Sequence, residues 1–193
     1  PTYPPGSFFC LVVLRNNPHV HGSLLLPRYV PHSAAKVLRG VAAALQVTPR
    51  YFDMVFDIRT YGPQSDLVLG SMRLMAVAAR HNTETNALRI DMESGGTLVF
   101  SSDTGWFPEL AELARTADVL LIEATDRTMP DHNGPRWHLC PRDIARVVTA
   151  GRPLQTVLTH YVGDHAGEIL AEVAEACPFQ AIDIAMEGKT YDV

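Results

Sequence analysis

The chain has 193 residues, enough for one well-buried domain, with 47% hydrophobic and 19% charged residues, a formal charge of -5 and a mean hydropathy of +0.02. The acidic balance and the lack of any Lys/Arg run argue against a nucleic-acid footprint or an anionic-membrane surface, and no stretch is apolar for long enough to span a bilayer. Cys10, Cys140 and Cys177 are scattered, with no Cys-x-x-Cys, and the opening residues do not read as a secretory leader, so a reducing cytoplasm is expected.

Residues 1–6 are turn-rich, and residues 7–14 are apolar throughout, which allows either a buried helix or a strand. Asn16-Asn17-Pro18 and Gly22-Ser23 break the chain. Residues 24–30 read as a strand ending at Pro31. Ser33 is then placed to cap a helix through about Leu45, with Val37, Leu38, Val41 and Leu45 on its apolar face. Strands are expected at 54–58, 66–69, 72–79 and 86–92, the last turning at Glu93-Ser94-Gly95-Gly96 into the apolar strand 97–102. In the second half, a helix at 107–115 precedes a strand at 118–123. A long loop leads to a helix at 141–150, a strand at 154–159, a helix at 166–176 and a strand at 180–185, before a turn at Glu187-Gly188 and a short closing strand. A meander followed by strand–helix alternation predicts an α/β fold of mixed sheets covered by helices, in one domain over 1–193.

His81, Asp103 and His160 are each the first polar residue to follow an apolar strand, so sheet pairing can bring all of them to one rim. Imidazole and carboxylate are natural ligands for zinc or a similar divalent ion, and a carboxylate between two histidines can bridge an ion pair. The plainer reading is that Asp103 caps the helix near Phe107-Pro108 and that each histidine is an ordinary strand-end residue.

The segments VFSSDTG (99–105), LAELARTADVLLIEAT (110–125), HLCPRDIARVV (138–148), VLTHY (157–161) and AMEGKTYDV (185–193) resemble the second half of metallo-β-lactamase-fold hydrolases, especially their ribonuclease Z-like and cyclic-phosphodiesterase-like branch. The resemblance covers roughly 24–193 and implies an αββα sandwich of two mixed sheets between helices, lacking its N-terminal part. It implies His81 as a ligand of one metal, Asp103 as the bridging carboxylate and His160 as a ligand of the second. His138 would then stabilise or protonate the departing group. Its place just before Pro141 fits a helix start with Asp143 serving the first-turn amides, an environment that favours a neutral imidazole, although Cys140 is a poor cap. A loop histidine that merely holds its neighbours is the alternative.

The family's His-x-His-x-Asp-His motif is absent. His19-Val20-His21 is followed by Gly22 and Ser23, lies downstream of the motif's place, and reads as a surface loop. His81, Asp103 and His160 alone give each ion two protein ligands, so two divalent ions, zinc or manganese, would be weakly held unless a segment before Pro1 supplies the rest. The short interval between His81 and Asp103 leaves no room for the tRNA-clamping arm of true ribonuclease Z enzymes, so a small phosphodiester, ester or lactone is the expected substrate. Trp106 and Trp137 could wall its pocket, or Trp106 could pack on the sheet, and residues 129–137 are a candidate lid. Two functions remain open at this point. One is a hydrolase in which metal-bound hydroxide attacks, Asp103 fixes the ions and His138 assists the leaving group. The other is a metal-free binding or assembly module with an apolar partner surface such as residues 8–14, for which a homodimer is one allowed assembly.

Overall fold

The structure, a computed structural model, describes residues 26–128 and 134–193. The apolar stretch 7–14, His19-Val20-His21 and most of the expected lid lie outside the described residues. The chain divides into two compact units, Pro1–Tyr61 and Gly62–Val193.

In the first unit, β1 (Leu26–Pro31) and β2 (Phe56–Tyr61) form a parallel pair, joined through α1 (His32–Ala44) and α2 (Pro49–Val55). Helix α1 starts straight after Pro31, so Ser33 lies inside its first turn rather than at the cap. The expected strand from residue 54 starts at Phe56, because Thr48 caps a short helix by accepting the Tyr51 N–H and Pro49 suits its first position. Ala42, Phe52, Val55 and Phe56 form the small core, with Leu38 packed against it. Val37, Val41 and Leu45, one residue round the helix from that stripe, are exposed.

The second unit carries a seven-stranded mixed sheet whose strands lie in sequence order. Strands β3 (Asp66–Leu69), β4 (Met72–Ala78), β5 (Asn86–Met92) and β6 (Thr97–Phe100) are antiparallel, because tight turns join them. Beyond β6, helices α3 (Pro108–Leu113), α4 (Pro141–Gly151) and α5 (Ala166–Ala176) provide the crossovers that parallel neighbours require. They connect β6 to β7 (Val119–Glu123), β8 (Gln155–Thr159) and β9 (Ala181–Ile184). No strand forms after Gly188, and no helix among the described residues is long and apolar enough to cross a membrane.

Register assigns the two faces. Val99 and Leu120 are paired neighbours, as are Ile122, Leu158 and Ile184, and these side chains pack with Leu110, Ile144, Val147, Ile169 and Val173 of the helices. The opposite face carries the paired rows Leu88–Phe100–Leu121–Val157 and Leu74–Ile90–Leu98–Val119. A sheet apolar on both faces is an inner layer of the αββα kind, and each fully buried aliphatic side chain contributes about 1.5–3 kcal/mol.

One glycine is fixed by close approach. A Cβ on Gly105 would lie 2.1 Å from the Arg136 carbonyl oxygen, whereas one on Gly167 in α5 would meet nothing within 4 Å. Gly105→Ala is therefore expected to lower stability by about 1–3 kcal/mol through overpacking. Gly167→Ala should raise it by about 0.5–1 kcal/mol by favouring helix. Urea unfolding midpoints of the two variants should move in opposite directions.

Candidate metal centre

Strand β4 is two antiparallel steps from β6, and β6, β7 and β8 are parallel, so all four point the same way. Their carboxyl ends share one edge of the sheet, where open α/β sheets mount ligand-binding side chains. His81 stands just beyond β4, Asp103 beyond β6, Glu123 ends β7 and His160 follows β8. The His138 ring is centred 5.3 Å from His81 and 5.8 Å from His160, while Asp103 Oδ1 lies 3.3 Å from His160 Nδ1. All the site residues expected from the sequence thus meet at one rim. Trp137 stands edge-on to His81 at 6.5 Å, and Trp106 packs on the core beneath the Arg146 guanidinium.

Backbone bonds enforce the convergence. The Arg80 N–H donates to Thr104 Oγ1 (2.9 Å), and the Arg80 carbonyl accepts the Gly105 N–H (2.8 Å). The residue before His81 is thereby tied to the two that follow Asp103. Ser102 and His160 both have φ of 53°, a left-handed backbone that costs a non-glycine residue on the order of 1–3 kcal/mol and clusters at functional sites. Asp103 caps no helix: the residue preceding α3 is Phe107, with Pro108 opening its first turn.

Glu123, which sequence reading passes over as the end of an apolar strand, organises the site from beneath. It is only 1% exposed. Its Oε1 accepts the Thr104 N–H (2.8 Å) and meets His138 Nδ1 (2.9 Å), while Oε2 accepts the Thr125 N–H (3.0 Å). A carboxylate has no proton to give, so Nδ1 of His138 is the donor and Nε2 is left for a proton or a ligand. It is the Glu123 carboxylate that engages the His138 ring. A sequence signal did exist: an acidic residue at the end of an otherwise apolar strand is one that burial must satisfy.

His160 is oriented by the same logic. Thr125 Oγ1 lies 2.8 Å from both the His160 carbonyl oxygen and His160 Nδ1. A hydroxyl has one proton, and donating it to the carbonyl requires Nδ1–H to be the other donor, which again leaves the Nε2 lone pair free. His81 Nδ1 has Thr83 Oγ1 at 3.1 Å.

One donor atom from each of Glu123, His138 and His160 lies within 4.8 Å of the others, close enough for a cation to be shared. Glu123 already accepts three hydrogen bonds and is sealed from solvent, so it holds His138 rather than an ion. Asp103, whose side chain is 41% exposed, has its oxygens available. By residue type His81, Asp103 and His160 also suit a divalent metal, but among the described residues their ligand atoms are not gathered as closely as those of Glu123, His138 and His160.

Behind His138, the buried carboxylate of Asp143 forms an ion pair with Arg136 and accepts from the Cys140 thiol (3.3 Å). Its side chain is thus engaged by the loop that carries His138, not by the first-turn amides of α4. Cys140 makes no side-chain cap bond.

The family described as a beta-lactamase superfamily domain matches residues 11–161. The chain belongs to this family. The uncharacterized protein ML1173 of Mycobacterium leprae is 33% identical over 139 residues, which are 72% of this chain and 49% of that protein, so the chain spans about half its relative's length. Among solved structures, the metallo-β-lactamase-fold protein YhfI of Bacillus subtilis superposes with a TM-score of 0.71 at 19% identity, over 95% of this chain and 66% of YhfI. A diphosphatase from the PhnP family superposes with a TM-score of 0.66 at 17% identity, covering 91% and 62% of the two chains. At these identities the likeness establishes the metallo-β-lactamase fold alone.

Two outcomes follow from the buried groups. In Glu123→Gln, one amide N–H would face a backbone N–H of Thr104 or Thr125, so denaturant unfolding should show a loss of about 1–3 kcal/mol. Burial pushes the Cys140 thiol above its ordinary pKa, so it stays protonated as pH rises through the usual thiol range. Peptide mapping after iodoacetamide treatment at about pH 8.5, near the free-thiol pKa, should find Cys140 alkylated in the unfolded but not the folded protein.

Proposed function

We propose that this chain carries the leaving-group half of a metal-dependent hydrolase centre acting on a small phosphodiester, ester or lactone. The observation that carries the proposal is the pairing of two fixed imidazoles at one rim. His138 is held on Glu123 and His160 on Thr125, each with Nδ1 engaged and Nε2 without a hydrogen-bond partner among the described residues, beside the solvent-accessible Asp103. Membership of the beta-lactamase superfamily and a fold shared with a PhnP-family diphosphatase support the same reading.

His81, Asp103 and His160 are the residues that would hold divalent cations, with Asp103 suited to bridge them. When bound, such ions neutralise charge on the substrate and make a water acidic enough to lose a proton near neutral pH. Everything else falls to the chain's own groups. Thr125 keeps His160 in one tautomer and Glu123 does the same for His138. Protonated at Nε2, His138 gives that proton to the departing oxygen as the bond from phosphorus or carbon to it breaks. It recovers a proton from water afterwards, while Nδ1–H stays on the Glu123 carboxylate. Trp137, edge-on to His81, excludes water from one side of the rim.

The test combines elemental analysis with turnover of bis(p-nitrophenyl) phosphate and p-nitrophenyl acetate in added zinc or manganese. Asp103→Ala should lose both bound metal and turnover. His138→Ala should keep its metal but fall in kcat by on the order of 10²–10⁴. Wild-type protein that takes up metal yet shows no turnover sensitive to either substitution would sink the proposal.

A further inference from the structure

We infer that Arg80 and the cleft it helps to line select an anionic diester over a neutral ester or lactone at the proposed centre. The inference rests on the hydrolase reading for its chemistry, but not for its test. The cleft, about 680 Å³, lies within the second unit, along β4 and against the start of α3. That volume suits a drug-sized organic group. Its walls include Met75, Val77, Phe107 and Leu113, and its end nearest the rim is Arg80, the residue before His81.

Arg80 is the one cationic residue among those that line the cleft. Arg39, Arg59, Arg73, Arg115 and Arg127 each hold an acidic partner on the surface, and Arg89 and Arg136 do so in half-buried settings. The Arg80 side chain has no ion-pair partner among the described residues, although it is exposed in a protein of net charge -5. Its backbone, by contrast, is fixed on both sides, through the bond to Thr104 Oγ1 and the bridge to Gly105. A rigid mount with a free guanidinium beside a cation-binding rim is what two-point recognition of a phosphoryl oxygen pair requires.

The other charges of the cleft order the ligand along it. Asp66 is engaged by Arg73 at 2.6 and 2.8 Å, which leaves it little field of its own. Glu109, exposed on α3, has no ion-pair partner among the described residues. Positive at Arg80 and negative at Glu109, with apolar walls between, the cleft fits a diester whose anionic phosphate sits at the rim and whose organic arm is uncharged. A neutral ester or lactone leaves the guanidinium unpaired and gains nothing from it.

The test is binding, read apart from catalysis. Diphenyl phosphate and its neutral counterpart, methyl diphenyl phosphate, are titrated into the full chain by calorimetry, as purified and again in EDTA. Wild type should bind the anion at least tenfold more tightly than the triester. Arg80→Ala should lose about ten- to a hundredfold of anion affinity, the worth of hydrogen bonds to a charged group, with triester affinity unchanged. Arg142→Ala, which removes another exposed arginine outside the cleft, should keep the preference. A wild type without preference, or a preference that survives in Arg80→Ala, overturns the inference. The two readings separate cleanly, because Arg80-dependent anion binding without turnover of bis(p-nitrophenyl) phosphate leaves the binding inference standing and removes the hydrolase.

Discussion

Thr104 is the knot on which the rim depends. It is fully buried just beyond the end of β6, and its hydroxyl and backbone N–H bond to different parts of the chain. The hydroxyl accepts the Arg80 N–H from the exit of β4 and donates to the Gly105 carbonyl, and the backbone N–H donates to Glu123 at the end of β7. Three strand exits are thus fixed relative to one another by buried and partly buried hydrogen bonds, and a buried donor or acceptor left unmade there would cost about 1–3 kcal/mol. Glu123 extends the knot to His138, and Thr125, whose N–H also bonds Glu123, extends it to His160. The rim histidines His138 and His160 need not be held individually, since they hang from one connected polar network.

That network explains why residues remote in sequence converge. Parallel strands place their carboxyl ends on one edge, but edge-sharing alone leaves side chains free to splay. The left-handed turns at Ser102 and His160 redirect the chain at the rim. The strain they carry persists because bonds on either side over-determine the backbone, among them the buried Glu123 N–H donated to Ser101 Oγ and the more exposed Thr125 hydroxyl donated to the His160 carbonyl.

The strands of the second unit were legible because their apolar runs end abruptly at polar residues, and the pattern of strand ends was enough to put His81, Asp103 and His160 at one edge of the sheet. Segment 54–58 was misread at its start because Val55 and Phe56 suit a strand equally well, and only the Thr48-Pro49 start signal separates helix from strand there. Glu123 was passed over for a different reason. Its role depends on three donors from Thr104, Thr125 and His138, none of which a one-dimensional pattern brings together. For the same reason Asp143 looked like a helix-start acid, whereas its partner Arg136 comes from the preceding loop. Short-range signals locate elements and strand ends; they do not say which buried carboxylate has its lone pairs filled.

The filling of lone pairs is what distinguishes the two acids of the centre. Asp103 and Glu123 both follow apolar strands of the same sheet, and by residue type either could bind a cation. Glu123 is sealed and accepts three hydrogen bonds, so recruiting it to an ion would strip donors from Thr104, Thr125 and His138 at once. Asp103 is partly exposed and, among the described residues, its ion-pair partner is His160, at 3.3 Å, so an ion can approach it without stripping donors from the buried network. Burial therefore divides the labour: the saturated carboxylate holds the Nδ1–H of His138 in place, and the unsaturated one keeps oxygens that a cation could approach.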